Sequence, residues 1–68
     1  MSDYKFLEDE MVSGYLDGLK VDSPEPSDNR THSYRHGFLA GRNDLGIVSI
    51  PTEIMRIMAN EAMKKDVN

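Results

Sequence analysis

Two five-residue segments of this chain are nearly copies of each other: Gly14-Tyr15-Leu16-Asp17-Gly18 and, 23 positions later, Gly37-Phe38-Leu39-Ala40-Gly41. Each sets two glycines at i and i+4 around an aromatic-leucine step, the spacing of one helical face. A glycine inside a helix costs about 1 kcal/mol relative to alanine, so four cost about 3–4 kcal/mol. For a small domain that is a large share of the net stability, and something must compensate. Two helices crossing at close backbone approach, glycine face to glycine face, supply the simplest compensation.

The chain has 68 residues and is read as one domain, 1–68. A core of that size supplies at most about 3–5 kcal/mol without staples. Cysteine is absent, so disulfides and thiolate metal sites are excluded. Self-association, most simply as a homodimer, is therefore an expected source of further stability. No apolar run reaches the length of a membrane span, and Met1 to Glu8 lacks the basic-then-apolar pattern of a signal peptide. The expectation is a cytoplasmic protein with no membrane partner.

The periodicity predicts an all-α fold, a small helical hairpin with glycine-notched packing plus a C-terminal third helix. Asp3 is a capping residue for a first helix reaching about Leu19. Tyr4, Leu7, Met11 and Tyr15, with Val12, Leu16 and Leu19 beside them, form one wide apolar stripe. Pro24 and Pro26 make Val21 to Arg30 a stiff connector. A second helix is expected to start between Ser27 and Arg30 and run to about Asp44, with Gly46 as its stop. After the extended segment Ile47-Val48-Ser49-Ile50, Pro51 opens a third helix to about Lys65, with Ile54, Met55, Met58 and Ala62 on one stripe and Ile57 near them. Its methionines suit core packing, a dimer seam or an adaptable partner surface.

The net charge of −4 is unevenly placed. Residues 1–28 carry eight acids against Lys5 and Lys20, whereas residues 29–43 carry Arg30, Arg35, Arg42, His32 and His36 and no acid. Overall acidity argues against a non-specific nucleic-acid binder, which needs many phosphate contacts. The local cationic segment is either a solvated helix face or a site for phosphate or for a partner's carboxylates. Arg35 and Arg42, seven residues apart, would flank Phe38 and Leu39 on one side of the helix, an arrangement able to hold phosphates or stack on a base. His32 and His36 at i, i+4 lie opposite the glycine notch, where two solvent-facing imidazoles are expected. A zinc site would need one or two further ligands, and no recognisable spacing supplies them. Glu8, Asp9 and Glu10 fall on a polar face without the burial that tunes an acid-base pair. Ser33 adjoins His32, but neighbouring helical residues do not face each other. With no nucleophile set and no phosphate-cradling loop, the chain reads as a non-enzyme with no cofactor.

In order, Gly14-Tyr15, Gly18, Pro26, Asn29, Tyr34, Gly37-Phe38 and Gly41-Arg42 resemble the ribosome modulation factor family over about residues 11–45. The resemblance implies two helices joined by an ordered linker and, as in the best-known members, binding to the ribosome during dormancy. Tyr34 and Phe38 stand where that family has aromatics, and Asn29 where it has asparagine. The family's arginine two residues after that asparagine would fall on Thr31, whereas here Arg30 lies one place earlier. The chain also departs from the family in its acidity and its third helix.

Two functions follow as expectations. One is a small regulator resembling ribosome modulation factor that binds ribosome or RNA through Arg30, Tyr34, Arg35 and Arg42. The alternative is a protein-binding regulator or inhibitor, of the phage or mobile-element type, acting through an acidic or methionine-rich helical face.

Overall fold

The computed structural model describes residues 3–67, and the fold is all-α. Helix α1 spans Asp3–Gly18, α2 His32–Asp44 and α3 Thr52–Val67. Asp3 as a cap lies outside the residues whose side chains are described. Helices α1 and α2 form the hairpin, and α3 lies mainly against α2 with a smaller contact to α1.

The glycines set the hairpin geometry, and the two helices meet at close backbone approach through their glycine faces, as expected. Each mainly receives the opposing helix's backbone. A Cβ at Gly14 would lie 2.0 Å from the Tyr34 carbonyl oxygen, and one at Gly37 would lie 2.0 Å from that of Met11. Gly18 is filled in the same sense by Phe38, and Gly41 by Tyr15 and Gly18. The contact is therefore reciprocal. The tyrosines repeat the pattern: Tyr15 donates to Asp44 at the end of α2, and Tyr34 donates to Asp17 near the end of α1. In both cases the hydrogen bond to the carboxylate raises the phenol pKa, with a smaller push from burial and from the carboxylate's charge.

So close an approach leaves room for one row of side chains. Leu7, Tyr34 and Phe38 are buried, Met11, Tyr15 and Leu19 half-buried, while Tyr4, Val12 and Leu16 face out. The wide stripe expected on α1 is thus narrower. On α3 the same correction applies: Ala62 is buried, Met55 and Met58 are half-buried, and Ile54 and Ile57 are exposed.

Helix α2 begins later than expected because Ser27 to Arg30 closes a turn of its own, with the Arg30 N–H on the Ser27 carbonyl. Thr31 is the cap. Its hydroxyl accepts from the Tyr34 N–H at 3.0 Å and donates to Glu10 Oε1 of α1 at 3.0 Å. The Thr31→Ala variant should lose about 1 kcal/mol of stability, read as a lower urea midpoint at unchanged slope. An unchanged midpoint would show that the cap contributes nothing. At the far end, Gly46 with φ 81° receives a Schellman closure: its N–H meets the Asn43 carbonyl and the Ile47 N–H meets that of Arg42, both at 3.0 Å. Gly46 is the expected stop.

The segment after Gly46 is tied by Asn43, whose side chain accepts from the Ile50 N–H at 2.8 Å and donates to its carbonyl at 3.1 Å. Pro51 sits just before α3, with its carbonyl receiving the Met55 N–H. Helix α3 runs past Lys65 to Val67 because Asp66 is anchored on α2: its carboxylate accepts the His32 and Ser33 N–H groups at 2.8 and 2.7 Å. No acid stands in the first turn of α2, so α3 provides the negative charge that this helix end favours.

Candidate interaction surface

The arginines singled out in the sequence have separate fates. Arg42 is buried, correcting its expected place on an open face with Arg35. Its guanidinium donates to the carbonyls of Gly18 at 3.0 Å, Lys20 at 2.8 Å and Ser23 at 2.8 Å, and lies 4.5 Å from the Phe38 ring centre. It closes the C-terminal end of α1 and the start of the connector. The physical reason is visible in α1 itself, which has no basic residue in its last turn to meet the dipole.

Arg30 stacks on Tyr34, 3.6 Å from the ring centre, and approaches Glu10 at 3.8 Å. Arg35 bonds His32 Nδ1 at 3.0 Å and stands 3.7 Å from Asp28. These two keep 41% and 34% of their side-chain surface exposed, so they are only partly committed to the fold. Tyr34 itself is buried, with its hydroxyl on Asp17, and its ring serves as the platform under Arg30. The structure therefore brings Arg30 and Tyr34 together and sets Arg35 on another side, towards α3.

His32 and His36 are not the solvent-facing pair expected. Both are half-buried where α3 meets α2, in a groove that Leu39, Met58 and Lys65 also line. Burial pulls the His36 pKa below its ordinary 6.5. No group of three or more metal-ligating side chains occurs among the described residues.

The acids of α1 are largely spoken for. Lys5 pairs with Asp9 at 3.1 Å, Glu10 receives Thr31 and nears Arg30, and Asp17 holds Tyr34 and nears Lys20 at 4.0 Å. What remains open on α1 is a ridge at four-residue spacing, Tyr4, Glu8, Val12 and Leu16, whose Tyr4 end borders Asn60, Met63 and Lys64 of α3. Its apolar members are 61%, 58% and 53% exposed. The apolar periodicity puts all three in the core stripe, and the glycine contact is what turns them out. The signal was available, because a line through Leu7, Gly14 and Gly18 points away from Val12 and Leu16.

No family model matches this chain, and no curated protein or solved structure is found to be similar to it.

Proposed function

We propose that this protein is a small non-catalytic regulator that binds a protein partner through the outer ridge of α1. The observation that carries the reading is the ridge: three large apolar side chains more than half exposed in line, around the single carboxylate of Glu8. Exposed apolar groups in isolation are ordinary, whereas a contiguous row is a feature of interaction surfaces. The partner surface that fits is an apolar strip with a cation to meet Glu8, and the net charge of −4 favours approach to a basic protein.

Binding to ribosome or RNA stands as the second reading. It is favoured by the Arg30–Tyr34 stack and by the part-exposed Arg35, and it agrees with the likeness to ribosome modulation factor. Arg42 makes no part of it, since its donors are turned inward.

Capture from nuclease-treated lysate, followed by measurement of affinity for the captured protein, separates the two. Leu16→Arg should fold as the wild type and weaken that affinity by about tenfold or more, whereas Arg30→Glu should leave it intact. Retention of full affinity by Leu16→Arg would remove the ridge as the site. Ribosome co-sedimentation that weakens with salt and with Arg30→Glu or Arg35→Glu, yet ignores Leu16→Arg, would instead establish the second reading.

A further inference from the structure

Two enclosed polar groups without partners lie where α2 meets α3. Arg35 Nε and His36 Nδ1 are shielded from solvent and make no hydrogen bond among the described residues. Ser33 is wholly buried beside the Asp66 carboxylate, which takes its N–H. Arg35 and His36 line the groove where Met58, Glu61, Ala62 and Lys65 of α3 come down on α2. A shielded polar group that lacks a partner disfavours the packing that shields it, because undocking would restore its water.

The attachment of α3 is correspondingly light. Ala62 is its one buried side chain among the described residues, and its link to the start of α2 is the Asp66 carboxylate on two N–H groups. The α1–α2 hairpin, in contrast, has its own glycine contact, two tyrosine–aspartate bonds and the Arg42 clasp, none of which involves α3. Elements with few buried apolar contacts open separately from the rest of a fold.

We propose that α3 is a displaceable cover on α2, opening as a unit while the hairpin stays folded, and that acidification drives the opening. This goes beyond the partner reading and does not depend on it. The sign follows from the two groups at the contact. Burial holds the docked His36 below its ordinary pKa, so below pH 6.5 the open form binds more protons. Within that window each unit of acidification multiplies the open-to-docked ratio by up to about tenfold. The titratable and charged groups around His36 are His32 and Arg35 on its own helix and Glu61 and Lys65 on α3. For Asp66, burial alone would raise the pKa, but the Ser33 hydroxyl, the Ser33 and His32 N–H groups and the charge of His32 outweigh it and lower it. Its contribution is therefore present above the ordinary carboxylate pKa and is lost further into acid. The α1 residues beside Asp66 are the uncharged Phe6 and Leu7, while Glu10 is held by Thr31 and Arg30.

Amide hydrogen exchange of the full chain, expressed as protection factors, tests this at neutral and mildly acid pH. Acidification from pH 6.5 towards the docked His36 pKa should lower α3 protection by up to about tenfold per pH unit while α1 and α2 retain theirs. Asp66→Asn should lower α3 protection at both pH values, and His36→Gln should abolish the acid response. Simultaneous loss of protection in all three helices, in the wild type or in Asp66→Asn, would overturn the proposal by making the fold one unit. So would a full acid response in His36→Gln.

Discussion

Gly37→Ala is expected to unfold the protein. The added Cβ would lie 2.0 Å from the Met11 carbonyl oxygen, 2.9 Å from its carbon and 3.0 Å from the Tyr15 nitrogen. All three are backbone atoms of α1, so no rotamer change relieves the contact. Only separation of the helices does, and separation breaks the same fit at Gly14, Gly18 and Gly41. Overpacking costs about 1–3 kcal/mol where side chains can yield, so this site should reach or exceed the upper end. Alanine's better helix propensity returns about 1 kcal/mol, which is too little. Among the described residues few apolar side chains are buried to absorb the difference, namely Leu7, Tyr34, Phe38 and Ala62. Thermal unfolding followed by circular dichroism should show no cooperative transition for the variant. A melting curve like that of the wild type would refute the close-contact account. Gly46→Ala is the contrasting case: nothing lies within 4 Å of its Cβ, and only its φ of 81° opposes the change. That variant should stay folded with a loss of about 1–2 kcal/mol.

The second large effect is expected at Arg42. In Arg42→Met the apolar stem and its packing on Phe38 are largely kept, while the donors to Gly18, Lys20 and Ser23 are lost. Hydrogen bonds from a charged group contribute about 1.5–3 kcal/mol each when buried, but the Lys20 and Ser23 carbonyls lie near solvent and regain water. A net loss of about 3 kcal/mol is the expected result in urea unfolding. Lysine should not rescue it, because one ammonium cannot span three carbonyls that the planar guanidinium reaches at once. A loss below about 0.5 kcal/mol would place Arg42→Met among ordinary surface changes and remove the clasp from the account. The variant also separates structure from binding: any loss of partner affinity in Arg42→Met should track the folded fraction, unlike the loss in Leu16→Arg.

These two sites differ in how far they could be read from the chain alone. The glycine pairs carry a visible local cost, and only a close helix contact explains it, so the hairpin was legible. The Gly46 stop and the third helix after Pro51 were legible for the same reason, since φ preferences and capping act within a few residues. Arg42 and Asp66 were not. Their roles come from what other helices lack: α1 ends without a basic residue, and α2 starts without an acid. Those gaps are readable, but the residues that fill them stand 24 and 33 or 34 positions away.

Three helices, their order and the pair that must touch follow from residue order alone, because propensity, capping and the glycine penalty are local quantities. The remainder came from packing between helices. That packing turned Arg42 inward, drew His36 beneath α3, and set Tyr4, Val12 and Leu16 outside. The cause in the last case is the separation of two helix backbones: at glycine contact only one row of side chains fits between them, and the neighbouring apolar row must face out.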